Sequence, residues 1–192
     1  MKLKNHLKGF TLIELLVTMT VLVIVITIGV PSFQNLIKNN RLRTTTNTLV
    51  LDINYARSEA VKRGMKVVLC RSSNPQAVNP SCSGNTREWS SGWLLFASQD
   101  SNSIYDTGTD VLLKRTEINA AGISIIANTN ADSSLTFNSD GSKAGAISDA
   151  KYAVCDDRDN SYGREITVIN TGRPGLKSGS IDTPIPSCSN PV

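Results

Sequence analysis

Apolar and polar positions along the chain fall into three regimes. From Phe10 the residues FTLIELLVTMTVLVIVITIGV are nearly all apolar, and Leu15 to Ile37 holds 23 residues without a charge. At 1.5 Å of rise per helical residue that stretch is roughly 35 Å long, enough to cross the hydrocarbon of a bilayer. The period then changes. Leu42, Leu49, Ile53, Ala56 and Ala60 recur at intervals of 7, 4, 3 and 4, which puts them on one helical face ready to pack on a following domain. Arg41, Arg43, Asp52, Arg57, Glu59, Lys62 and Arg63 lie mostly off that face and read as a solvated or subunit-facing surface. Gly64 suits a left-handed helix cap. The two stretches therefore join into one helix of about 50 residues, kinked or loosened where Pro31 removes a backbone donor.

Past Gly64 the helical period disappears and short β-rich runs take over. They are Lys66 to Cys70, Gly92 to Ala97, Val111 to Arg115, Ile123 to Ala127, Leu135 to Phe137, Tyr152 to Cys155 and Glu165 to Ile169. Turn formers such as Asn74-Pro75, Ser83-Gly84, Asp140-Gly141 and Tyr162-Gly163 separate them. A long helix followed by many strands predicts an α+β fold, with a mainly antiparallel sheet on the exposed half of the helix. The organisation read from this pattern is a leader at 1–9, a membrane-spanning helix at 10–37, an amphipathic continuation at 38–64 and a β domain at 65–192.

Composition changes this picture in one respect. The formal net charge of +4 invites a nucleic-acid reading, yet Lys2, Lys4 and Lys8 all precede Gly9. Loss of residues 1–9 leaves a formal charge of +1, too little for a global field that steers polyanions. The leader MKLKNHLKG is basic and has no apolar core of its own. A secretory signal places its small-residue cut after the apolar stretch. Here the only processing signal, Gly9, comes before it, so cleavage would leave the apolar helix on the mature chain, while an uncleaved signal anchor is the alternative. The leading lysines place the N-terminus on the cytoplasmic side and the remainder outside.

Glu14 stands one turn into the apolar stretch, where an ionised carboxylate costs ~2.5–3.5 kcal/mol near a helix centre and less toward the interface. A new α-amino group on Phe10 would be a partner, met loosely within one helix and fully by a neighbouring copy shifted along an assembly. Snorkelling to the headgroups is the other way to satisfy it.

The run Gly9-Phe10-Thr11-Leu12-Ile13-Glu14-Leu15-Leu16, followed by Pro31, resembles the prepilin signature of type IV pilins and type II secretion pseudopilins. The resemblance implies cleavage by prepilin peptidase between Gly9 and Phe10, N-methylation of Phe10, and a role for Glu14 in ordering subunits in a filament. Tyr55-Ala56-Arg57-Ser58-Glu59-Ala60-Val61-Lys62-Arg63, Trp89, Gly92-Trp93-Leu94-Leu95-Phe96, Leu135-Thr136-Phe137-Asn138 with Gly141, and Thr171-Gly172-Arg173-Pro174 together resemble the GspH/FimT family of minor pilins and pseudopilins. That family implies the type IV pilin fold. It also implies partners that are other pilin or minor pilin subunits, prepilin peptidase and inner-membrane lipid, with the β domain in the periplasm. Two machines share this chemistry, the type IV pilus and the type II secretion pseudopilus, and the expectation is a minor pilin that primes or caps a pilus.

Some FimT-like minor pilins bind DNA through a C-terminal Gly-Arg-x-Arg motif. The corresponding stretch here is Gly172-Arg173-Pro174-Gly175 with Lys177 beyond it, so the second arginine is missing. Phosphate contacts add per cation neutralised, and DNA is therefore the lesser partner, with Arg173 and Lys177 as its candidate residues and Arg158 and Arg164 as possible additions. A plain turn before a disulfide loop is the competing reading of Gly172 to Pro174.

Four cysteines, Cys70, Cys82, Cys155 and Cys188, include no C-x-x-C pair and point to disulfides on the oxidising side of a membrane. Three pairings are open. Cys70 with Cys82 and Cys155 with Cys188 are favoured because each closes a loop rich in Ser, Asn, Gly and Pro. The single histidine, His6, is in the leader, which removes His-based triads and His metal ligands from the mature chain. No phosphate-cradling motif is present, and no enzyme activity, cofactor, metal or small-molecule substrate is expected. The acidic runs Asp156, Asp157, Asp159 with Asn160, and Asp100, Asp106, Asp110, lack an EF-hand loop and read as solvated turns. Trp89 and Trp93 read as core, with a carbohydrate or peptide platform as the sharper alternative.

Overall fold

A computed structural model describes residues 9–179 apart from 84–86, 130, 132, 146 and 159, with residue 160 described in its backbone only. The chain forms two compact units that divide between Asn39 and Asn40. One helix, α1 (Leu12–Arg63), belongs to both.

In the first unit the helix is apolar all round and exposed. Leu15, Val17, Val21, Val25, Ile28 and Phe33 are each more than half exposed, as expected of a surface whose natural solvent is lipid. The stretch is long and apolar enough to cross a membrane. Pro31 lies inside α1, so the carbonyl of Thr27 has no i+4 amide to accept.

In the second unit α1 carries the packing face that its period implies. Leu42, Leu49, Ile53, Ala56 and Ala60 are all buried. Burying a Leu or Ile side chain contributes ~1.5–3 kcal/mol, so this face alone is a large part of what fixes the helix to the sheets. The helix ends at Gly64, whose φ of 67° is the left-handed cap conformation and whose amide donates to the Ala60 carbonyl at 3.0 Å.

Eight strands follow: β1 (Val67–Arg71), β2 (Gly92–Ala97), β3 (Val111–Glu117), β4 (Ser124–Ala127), β5 (Ser134–Phe137), β6 (Ala150–Cys155), β7 (Arg164–Val168) and β8 (Pro174–Ser178). They form two antiparallel four-stranded sheets, ordered β3-β2-β1-β5 and β4-β6-β7-β8. The antiparallel character read from the sequence holds, but the strands divide between two sheets. β8 was not expected. Pro174 and Gly175 signal a turn, yet an edge strand tolerates a proline at its first residue because one side of its backbone has no ladder to supply.

The sheets share one core with the helix. Val67, Leu69, Trp93, Leu95, Ala97 and Phe137 of the first sheet meet Ile125, Tyr152, Val154, Ile166 and Val168 of the second around Leu49 and Ile53. Strand alternation sends the intervening residues Val68, Cys70, Leu94 and Phe96 to the opposite face, where they form a second cluster with Cys82, Tyr105 and Leu112. The first sheet is therefore covered on both faces at its centre.

Two acids on α1 correct the surface reading. Asp52 is buried and accepts hydrogen bonds from Trp93 Nε1 (2.8 Å) and Thr116 Oγ1 (2.6 Å), with Lys114 on its other oxygen. Glu59 is also buried, with Arg63 Nε at 2.6 Å and Lys62 Nζ at 3.6 Å. Both sit at the margin of the apolar face, where sheet residues and neighbouring cations reach them. Trp89 and Trp93 are fully buried, so they offer no exposed platform.

Candidate functional site

Gly9 and Phe10 precede the helix and are exposed, Phe10 at 84%. Thr11 is the helix cap. The Glu14 amide donates to Thr11 Oγ1 at 3.3 Å, and the Thr11 amide donates to Glu14 Oε2 at 3.5 Å, the reciprocal pattern of a capping box. The Thr-x-x-Glu spacing carries this signal in the sequence, and it adds a local task for Glu14. The Gly9–Phe10 bond consequently lies just outside the helix.

A second feature joins α1 to two turns of the sheet unit. Arg57 Nε donates to the Gly141 carbonyl at 3.1 Å and to the Thr171 carbonyl at 3.2 Å. Gly172 has φ of 76°, and a Cβ there would lie 2.2 Å from the Gly141 carbonyl oxygen. Only glycine fits that approach, so Gly172 of the Gly-Arg stretch is set by packing. Sequence periodicity placed Arg57 on the surface because a backbone-carbonyl partner leaves no complementary charge to notice.

The basic residues considered for DNA are dispersed. Arg173 is exposed at the turn before β8, and Lys177 is exposed on β8 opposite Glu165. Glu165 itself is buried and pairs with Lys151 at 3.1 Å. Arg164 lies at the other end of β7, roughly 14 Å along the strand from Val168. Arg158 is largely buried, hydrogen-bonded to both oxygens of Asp156 and stacked 4.1 Å over the Tyr162 ring. The Asp156 hydrogen bond, more than its charge, holds the Arg158 guanidinium even more firmly protonated. Asp156 is thereby committed to an arginine, and Asp159 lies outside the described residues.

In the other acidic run Asp110 accepts from the amides of Gln99 (3.0 Å) and Asp106 (2.9 Å), which makes it a loop organiser. Among the described residues no group of three His, Cys, Asp or Glu side chains gathers to hold a metal. A polar hollow of about 320 Å³ lies along β5, lined by Lys66, Ser103, Ser134 and Thr136 among others. Among the described residues it brings together no acid and base pair.

Cys70 and Cys82 are joined by a disulfide with Cα atoms 5.6 Å apart. Cys155 is also disulfide-bonded, and Cys188 lies outside the described residues.

An exposed apolar helix, long enough to cross a membrane, that continues into a helix packed on antiparallel sheets gives the chain the type IV pilin fold. A family model for type II transport protein GspH matches residues 45–172, and the prokaryotic N-terminal methylation motif matches residues 4–30. The chain belongs to the GspH family. No curated protein matches it. In fold it is similar to crystal structures of the type IV minor pilin FimU of Pseudomonas aeruginosa strain PAO1. One, in space group P21, has 22% identity and a TM-score of 0.58, covering 79% of this chain and 97% of that one. Another, in space group P65, has 20% identity and a TM-score of 0.54, covering 77% and 99%.

Proposed function

We propose that this chain is a minor type IV pilin, made as a prepilin, cut between Gly9 and Phe10, N-methylated on Phe10, and used to prime or cap a pilus. The observation that carries the reading is the coincidence on one chain of the methylation motif at 4–30 with the GspH match at 45–172. In this reading the helix anchors the subunit in the inner membrane with the sheet unit in the periplasm, where the Cys70–Cys82 disulfide is chemically at home. Cys155 takes Cys188 as its partner. Prepilin peptidase removes the leader, and the freed Phe10 amine of one copy neutralises Glu14 of another, setting axial register. Pro31 loosens the helix where it must adapt to its neighbours. Arg173 and Lys177 serve as surface residues, since the cations near them in sequence are paired or turned elsewhere.

The family description itself favours a second reading, a type II secretion minor pseudopilin with the same processing. One experiment addresses both. The full chain is produced with prepilin peptidase, its mass is measured, and its partners are captured from membranes that hold both pilus minor pilins and secretion pseudopilins. Loss of residues 1–9 and capture of pilus minor pilins is expected. Retention of the leader beside an active peptidase refutes the processing step, and capture of pseudopilins alone moves the subunit to the secretion machine. Glu14→Val is expected to be cleaved normally and to be missing from sheared filaments.

A further inference from the structure

Only one acidic or amide side chain in the sequence is followed directly by glycine, and that pair, Asp140-Gly141, stands in the turn that leaves β5. An aspartate before a glycine is open to a backbone rearrangement, because glycine has no side chain to keep its nitrogen away from the neighbouring carboxyl. The Gly141 nitrogen attacks Cγ of Asp140. An N–Cγ bond forms, and the amide proton leaves with the hydroxyl of the protonated carboxyl as water. Water then opens the cyclic imide at the former main-chain carbonyl, so the C–N bond there breaks and the chain runs on through Cγ as isoaspartate. Water is the only co-reactant.

The folded turn withholds each of the reacting groups. The Gly141 amide donates to the Asn138 carbonyl at 2.8 Å, which engages the proton that must leave. Asp140 Oδ1 accepts from the Ser142 amide at 2.8 Å and from the Ser142 hydroxyl at 2.6 Å, which turns the carboxylate toward the residue after the glycine. The Ser142 hydroxyl first, and its amide second, hold that carboxyl below the usual carboxylate range, away from the protonated form that reacts. Asn138 closes the turn, its amide donating to the Ser142 carbonyl at 2.9 Å and its Nδ2 to the Ser142 hydroxyl at 3.0 Å. Asp140 itself is exposed to water. The guard is therefore hydrogen bonding and not burial.

What the rearrangement would break is the seat of α1 on this turn. The Gly141 carbonyl accepts from Arg57 Nε at 3.1 Å, and Gly172 passes so close that a Cβ there would lie 2.2 Å from the same oxygen. A Cβ on Gly141 would lie 2.9 Å from the Val61 side chain. Packing this close leaves no room for the extra methylene that isoaspartate adds to the main chain. We propose that Asp140-Gly141 is a latent isomerisation site, guarded by Asn138 and Ser142 while the Arg57 joint is closed, and that its conversion to isoaspartate when the joint opens prevents the joint from closing again. Exposed turns open locally at far less cost than the whole fold, so conversion at this bond accumulates the openings of the joint over the life of the subunit.

The test incubates the full chain in mild detergent at neutral pH and physiological temperature over weeks. Isoaspartate at 140 is read by electron-transfer fragmentation of the digested chain, which tells it from aspartate. Guanidinium-denatured chain is expected to convert readily, and native wild type about tenfold more slowly, the weight of one hydrogen bond that must break first. Gly172→Ala, which pries at the joint without touching the reacting pair, is expected to convert faster than wild type, as is Ser142→Ala, which frees the carboxyl. Native wild type converting as fast as denatured chain overturns the guard, and denatured chain that does not convert overturns the site. A Gly172→Ala rate equal to that of wild type overturns the link to the joint. The purified isoaspartyl form is expected to show faster amide exchange at 171–173 than unconverted chain, and equal exchange there overturns the claim that conversion holds the joint open.

Discussion

Replacing Asp52 by alanine tests how the helix is attached to the first sheet. The carboxylate is 1% exposed and accepts from two buried donors, Trp93 Nε1 and Thr116 Oγ1, as well as from Lys114. Lys114 is 44% exposed at its side chain and returns to water when its partner is removed. The indole N–H and the threonine hydroxyl have no such route, and each buried donor left unpaired costs ~1–3 kcal/mol. Together the two orphaned donors cost ~2–6 kcal/mol. At roughly 2–4 °C per kcal/mol for a unit of this size, Asp52→Ala lowers the melting temperature by roughly 10 °C. The assay is thermal unfolding of the full chain followed by tryptophan emission, which reports the core directly because both tryptophans are buried in it. Thr116→Val, alone and combined with Asp52→Ala, completes a double-mutant cycle, and the pair is expected to be less damaging than the sum of the singles because the orphaned hydroxyl has gone. A shift below about 2 °C for Asp52→Ala would refute the claim that this carboxylate organises the joint.

Three further outcomes are expected. The Tyr152 hydroxyl is buried with no hydrogen-bond partner among the described residues, so Tyr152→Phe keeps the edge-on contact with Trp89 and leaves stability unchanged or raised by ~1 kcal/mol in a denaturant titration. Gly172→Ala sets a Cβ against the Gly141 carbonyl at positive φ and costs at least ~1–3 kcal/mol, with faster amide exchange at 138–145 as the local sign of the opened joint. The Glu59 carboxyl is held below its ordinary pKa first by the Arg63 hydrogen bond, so its contribution is fully present above the unfolded value near pH ~4.3 and is lost as pH falls through the lower folded value. Glu59→Gln therefore flattens the acid limb of the stability profile below about pH 4, and an unchanged limb would rule out that assignment.

How much was legible in the sequence depended on the kind of signal. The helix face and its Gly64 stop were plain because period and cap chemistry are local. Seven strands were found within one or two residues, since β-branched and aromatic runs bounded by turn formers need no tertiary information. β8 was hidden because Pro174 and Gly175 argue locally for a turn, and only the position at a sheet edge makes a strand of them. The division into two sheets depends on which strands pair, which no single run declares. Asp52 was read as surface because its partners Trp93, Lys114 and Thr116 are 41 to 64 residues away. Of the residues considered functional, those in the N-terminal signature stood out by pattern, whereas the Arg57 joint to the Gly141 and Thr171 carbonyls was invisible, being a meeting of a helix side chain with two distant turns.

The joint around Gly172 separates architecture from charge. Glycine is demanded at 172 by the Gly141 carbonyl, while at Gly175 a Cβ would meet only the Thr167 carbonyl, at an ordinary 3.7 Å. An arginine at 175 is thus sterically admissible, and its absence is a choice the backbone does not impose. A single codon change there would restore the Gly-Arg-x-Arg spelling on an unaltered frame. In this chain the polyanion spelling therefore hangs on one solvent-facing position, while the glycine at the head of that stretch answers to the turn it packs in and carries no information about a ligand.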